Sequence, residues 1–262
     1  MNKTALFWGI LILSLGCLLL LDNLGVITVN LGMIIFPLLI IALGVWILWG
    51  AKSQKPIEIQ HTGIPLDGAA RARVHVRHGA GRLIIKAGEA GGDLVTGDFG
   101  GGLEKDVNLS GDSLEVSLRP PSRVFWPFWQ PGSQLDWSLA LAPGIPLELD
   151  FQTGAGDANL DFSQLQVIRL RMNSGASSTR VTMPAAAGIT QAEFKTGAAS
   201  LDIRVPEGVG ARIRASGGLS SILIDKHRFP RSGSVYQSID YDTAANKIDI
   251  LVEMGVGSVN IR

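Results

Sequence analysis

A single cysteine, Cys17, serves the whole chain of 262 residues, and it lies inside an apolar run. That excludes a disulfide framework and a thiolate metal cluster within one chain, and leaves the redox compartment unreadable. Excess charge is missing too, since Lys and Arg total 23 and so do Asp and Glu. A nucleic-acid binder normally shows a basic face or tail, so the balance argues against nucleic acid as a partner. Histidines number four and tyrosines two. No Ser-His-Asp order, nucleotide loop or paired-carboxylate motif stands out. Glycine, by contrast, is plentiful: 32 residues without a collagen period. Such a composition indicates a turn-rich β protein, or small residues recurring at fixed structural positions.

Charge is absent altogether from Ala5–Leu21 and from Leu31–Trp49. Spanning hydrocarbon as a helix takes roughly 17 to 25 apolar residues, so the second run is long enough and the first is at the short limit. DNLGVITVN between them can only turn the chain. The expectation is a transmembrane helical hairpin over residues 1–50, with the lipid bilayer as its partner. Trp8, Trp46 and Trp49 near the run ends are expected as membrane-interface anchors, and Pro37 is tolerated in a membrane helix. Lys3 before an apolar core resembles a secretory signal, but no small-x-small site follows Leu21. Lys3, Lys52 and Lys55 flank the runs, whereas the turn carries Asp22 and no Lys or Arg. The positive-inside rule then puts both ends in the cytoplasm of a multi-pass membrane protein; an extracellular β domain is the alternative. Residues 51–56 form a linker, and Gly50 to Pro56 reaches only about 25 Å when extended.

Beyond it, residues 57–262 repeat. Six segments align on Gly79, Gly154, Gly175, Gly197, Gly218 and Gly255. With each glycine numbered zero, positions −5 and −3 hold pairs such as Val74 and Val76, Leu149 and Phe151, or Ile250 and Val252. Positions +4 and +6 hold Leu83 and Ile85, Leu201 and Ile203, or Val259 and Ile261. Apolar residues two apart follow the strand period. Each unit is therefore a strand, a small-residue corner and a second strand. The corner glycines suit a sharp bend where successive coils stack without room for side chains. Three of the intervals between these glycines are 21 or 22 residues. A unit so short cannot bury its apolar face alone, so each interval is one coil of a parallel β-helix or β-roll.

Two intervals are longer, 75 and 37 residues. The first contains strand-like Ser113–Arg119 and Leu135–Ala142, with the segment RPPSRVFWPFWQPGSQ between them. Its four prolines exclude a helix or central strand, so the insertion near 119–134 is expected as a loop resembling a hairpin tip. Phe125, Trp126, Phe128 and Trp129 are candidate membrane or partner contacts; the alternative is that they cap an open end of the β-helix. The second long interval adds a loop over 226–245. The chain stops just after a core position of its last repeat, so either this loop covers that end or a second copy of the chain stacks there.

Candidate chemistry is thin. His75 and His78 alternate along a strand and cannot chelate one metal without a bulge. GAGDANLDF is close to a calcium-binding nonapeptide, but Asp157 falls one place early and no second copy preserves it. Asp157, Asp161, Arg180, Asp202 and Arg204 lie outward on second strands, and a row of Asp161, Thr182 and Arg204 would be mixed in sign, which suits cross-coil pairing better than an acid and base. No metal, cofactor or catalytic residue is assigned.

The blocks LGCLLLLDNLGVI (Leu15–Ile27) and FPLLIIALGVWIL (Phe36–Leu48) resemble the transmembrane region of LiaF and LiaI-like bacterial proteins. The repeated Gly-Ala corners with alternating strands resemble the toast-rack and adhesin-like β-helical domains found behind that region. What the resemblance implies is a non-enzymatic, membrane-anchored accessory protein of the cell-envelope stress response, with a sensor kinase as partner. This chain has two spans where LiaF-type regulators tend to have more. Two other classes fit the residues: an adhesin-like or self-assembling structural β-helix, and a carbohydrate-active β-helix enzyme.

Overall fold

The computed structural model describes residues 59–89, 92–121 and 135–262, together with the helical positions Pro37, Ile40 and Ile41. Apart from those three positions, the expected hairpin and its anchors Trp8, Trp46 and Trp49 lie outside the described residues. Among the described residues no helix is long and apolar enough to cross a membrane. The chain divides into two compact units, and the β structure belongs to the one spanning Pro56–Phe128 and Ser133–Arg262.

Its strands are β1 (Ile59–Pro65), β2 (Arg71–Ala87), β3 (Asp93–Gly100), β4 (Glu104–Ser110), β5 (Ser113–Arg119), β6 (Trp137–Leu141), β7 (Pro146–Asp161), β8 (Gln166–Thr182), β9 (Ile189–Arg204), β10 (Gly210–Ile224), β11 (Arg231–Ser232), β12 (Val235–Gln237) and β13 (Lys247–Ile261). Six of them are long and lie parallel in the order β2, β7, β8, β9, β13, β10. Burial along β8 shows why each is bent. Leu170, Met172 and Ser174 are buried on its first arm, Thr179 and Val181 on its second. A straight strand would send even and odd positions to opposite faces. The change of parity at Gly175 therefore means that the chain turns a corner, and both arms look into one core. All the −5, −3, +4 and +6 positions of the six repeats are buried except Ala215 and Ile222, which are partly buried on β10. The expected parallel β-helix of about 21 residues per coil is thus the fold observed.

The corner glycines answer a packing demand. A Cβ on Gly154 would come within 2.3 Å of the Gly79 carbonyl oxygen, and one on Gly197 within 2.9 Å of the Gly175 oxygen. Coils stacked at strand spacing leave no room there for a side chain.

Two features depart from the linear reading. First, β5 and β6 are not a hairpin. Both run parallel to β2, β5 along Arg71–Val76 and β6 along Leu83–Ala87. They are the two arms of a further coil, and the aromatic segment occupies the place in the chain where other coils have their glycine corner. Antiparallel strands extend this end: β4 pairs with β5 on one arm, and β3 then β1 follow β6 on the other. Second, the stacking order is not the chain order. β13 lies between β9 and β10, in register with both over its whole length. The last strand is therefore interior. Arg262 donates its backbone N–H to Ile203 and accepts from Val205. The expected uncapped end at Arg262 is replaced by one at β10. The long loop explains the rearrangement: β10 is laid one strand spacing further out, and residues 225–246 carry the chain back into the gap.

That loop also covers part of β10. β12 pairs with Arg212 and Ile213, Phe229 is fully buried, and Tyr241 and Ser238 are nearly so. Arg228 donates to the carbonyls of Val205 and Pro206. Tyr241 donates to Asp249 at 2.9 Å under the Arg212 guanidinium, 4.8 Å from the ring. Burial first, then this bond, push the Tyr241 phenol above its usual range.

Candidate interaction surface

Because the coils stack in register, every outward position becomes a row running across the solenoid. On the first arm these rows are ionic. Arg73 makes hydrogen bonds to Glu148 of 2.8 and 3.0 Å, and Arg169 approaches the same carboxylate at 3.5 Å from the other side. In the next row His75 lies 3.7 Å from Asp150, and Arg171 lies 3.8 Å from Glu193. Lys195 reaches Glu193 at 2.8 Å and Glu253 at 3.7 Å, and Arg212 binds Asp249 at 2.6 Å. Glu193 is the main reason that the Lys195 ammonium is held above its ordinary range. Such exposed pairs contribute little stability each, because solvent and salt screen them. Opposite charges across strands do favour this register over a slipped one.

At the corner the row is uncharged and mostly of small residues, and on the second arm serines share the outer rows with charged residues such as Asp161, Arg180, Asp202 and Arg204. Position +1 places Ala80, Ala155, Ala176, Ala198, Val256 and Leu219 side by side, all exposed. Position +3 continues from Arg82 and Asp157 into four adjacent serines, Ser178, Ser200, Ser258 and Ser221. Two neighbouring rows, at −1 and −2, line a groove of about 800 Å³ that follows the glycine column, with Thr153, Ser174, Thr196 and Met254 along it.

The residues singled out in the sequence fall as follows. Gly79, Gly154, Gly175, Gly197, Gly255 and Gly218 form one column in that order, with Gly218 at its end. Phe125, Trp126, Phe128 and Trp129 lie outside the described residues. His75 and His78 face opposite ways: His75 lies outside between Glu115 and Asp150, while His78 is buried and donates to the Leu135 carbonyl at 2.7 Å. Burial pulls the His78 imidazole below its ordinary value, against the opposing pull of that carbonyl and of Asp136. Asp157 has Arg82 and Ser178 as its row neighbours and no carboxylate beside it. Asp161, Thr182 and Arg204 do form one row.

Trp137, at the start of β6, is core. It donates to Gly100 at 3.2 Å and packs edge-on against Phe99 with ring centroids 5.0 Å apart. The ionic rows escaped the sequence reading because they exist only once the stacking order is known: Asp249 meets Arg212 through the insertion of β13.

The geometry defines a class first: a two-armed parallel β-solenoid whose corners are built on stacked glycines. The model for the N-terminal domain of toast_rack, DUF2154, matches residues 52–204, more than half of the chain, and the chain belongs to that family. The matched stretch ends with β9, so β10 and β13 lie beyond it. No curated protein matches the chain. Among solved structures, a "putative cell adhesion protein" from Clostridium sporogenes is similar, with a TM-score of 0.73 at 20% identity, covering 78% of this chain and 98% of that one. At that identity the likeness is one of fold.

Proposed function

We propose that the chain is a non-catalytic scaffold of the bacterial cell envelope, anchored in the membrane by residues 1–50 and presenting the solenoid's outer rows to a protein or polymer partner. One observation carries this reading. Most outward charged groups of the first arm are tied to one another across coils, so among the described residues they form rows of mutually neutralised pairs in place of a free acid and base facing one reacting group. His78, the buried histidine, is held against a backbone carbonyl in the core. The adhesion named for the Clostridium protein supports the adhesive form of this scaffold. The LiaF-like wording of the first fifty residues supports a finer form, restraint of a sensor kinase.

The test is made in cells carrying the full chain. Ala176→Arg with Ala198→Arg roughens the exposed +1 row without touching the core. Loss of cell attachment, or of restraint on an envelope-stress reporter, is expected at unchanged protein level. Wild-type behaviour in both assays rejects the scaffold. A polysaccharide-degrading activity abolished by Asp157→Asn would replace it with a carbohydrate-active enzyme. Protease added to intact cells reports the side on which the β domain lies, with protection expected for a cytoplasmic domain.

A further inference from the structure

We infer that the open edge of β10 is a self-recognition strand, which joins two copies of this chain antiparallel about a two-fold axis at Ser221. Among the described residues, β10 is paired with β13 on one side, and on its other side only at Arg212 and Ile213. From Arg214 onward that side presents unpaired backbone donors and acceptors, a template for another strand. The side chains are as open as the backbone: Leu219 is 82% and Leu223 67% exposed, and the core-facing Ala215 and Ile222 are only partly covered.

Natural edges are normally blunted by charge or proline. The outermost strands at the opposite end follow that rule, with Glu104, Lys105 and Asp106 on β4 and Pro65 on β1. From Ala215 to Ile224 there is neither a charged residue nor a proline. The bare edge is thus confined to one end, and pairing through it closes after two copies and cannot propagate into a fibre.

The second copy is favoured as occupant because the segment is self-complementary. Leu219, Ser221 and Leu223 share the outer face of the second arm. Antiparallel pairing centred on Ser221 sets Leu219 opposite the partner's Leu223, Ser221 opposite the partner's Ser221, and Leu223 opposite the partner's Leu219. Opposed side chains in such a pair lie about 4.5 to 5.5 Å apart at Cβ, so both leucine pairs are covered together. On the inner face Ile222 meets the partner's Ser220. The pairing runs from Gly218 to Ile224 and stops at Asp225, where the chain turns away into the covering loop. This surface is distinct from the outer rows of the proposed scaffold, and its test does not depend on that function.

The experiment uses the full-length chain in detergent, with Cys17→Ser to remove the native thiol. Sedimentation should show a concentration-dependent dimer. Ser221→Cys, placed on the axis, should give a disulfide-linked dimer on mild oxidation, whereas Ser200→Cys, in the same row but on β9, should not. Leu219→Lys or Leu223→Glu alone should raise the dimer Kd about tenfold. The two together should restore it, because each new lysine then faces a new glutamate across the axis. A strict monomer, equal cross-linking at both cysteine positions, or a double variant as weak as the singles would overturn the inference.

Discussion

At the end formed by β5 and β6, antiparallel strands lie against both arms of the terminal coil, β4 on one and β3 with β1 on the other. At the end formed by β10 only the start of the first arm is paired, by β12, and among the described residues no strand lies against the second arm. Both terminal coils rest on the same kind of neighbour, a bent strand in parallel register. What differs is inserted sequence, because a repeat supplies side chains for an interior with coils on both sides and has nothing for a face with one. Caps must come from outside the repeat.

The comparison can be broken most severely at the partial cap. Phe229→Ala removes a fully buried ring of the loop that follows β10 and should cost about 3 to 5 kcal/mol. Chemical denaturation would measure it, and a loss below about 1 kcal/mol would mean that the loop is an ornament and the β10 end tolerates full exposure. A second test sets the middle of the stack against its end with one type of substitution. Gly154→Ala forces a Cβ to 2.3 Å from a backbone oxygen, whereas at Gly218 the same change meets its neighbour at 3.0 Å. The interior variant should lose about 2 to 3 kcal/mol and the end variant less than about 1 kcal/mol. Equal losses would show that the terminal coil is packed as tightly as the rest.

The smallest effect is a pH dependence confined to the β5–β6 end. His78 is buried beside Trp137, with ring centroids 5.3 Å apart, and its folded-state value is lowered from 6.5. The unfolded chain therefore binds the proton more readily. Stability from the neutral ring is complete above 6.5 and is lost as pH falls through the depressed folded value. Melting temperature should drop on acidification below 6.5, and His78→Gln should flatten that part of the profile. An unchanged profile would place the acid sensitivity elsewhere.

The interior was legible from sequence because alternation is local. Val74 and Val76, or Leu201 and Ile203, announce their face by a spacing of two, whichever strand lies beside them. Stacking order is not local, and the place of β13 depends on how far residues 225–246 reach. The outer strands were hidden for a different reason. β3 reads as a glycine-rich loop in GDFGGG, and β4 is exposed at nearly every position, so neither shows the half-buried pattern of a repeat. Trp137 lies close in the chain to the aromatic segment, and only its pairing with Phe99 reveals it as core.

The seat of β13 also bears on the order of events in folding. Lys247 is aligned with Ile189 and with Gly210, so its two neighbours are made 58 and 37 residues earlier. A solenoid stacked in chain order can zip up as it leaves the ribosome, coil upon coil. Here β9 and β10 have both emerged and cannot bond to each other in the native arrangement; each waits with an open edge for a strand not yet synthesised. Such long-range closure slows folding and prolongs the exposure of sticky edges. Nascent chains interrupted before Lys247 carry two more unsatisfied edges than the complete fold, one on β9 and one on β10, and are natural substrates for chaperones and proteases.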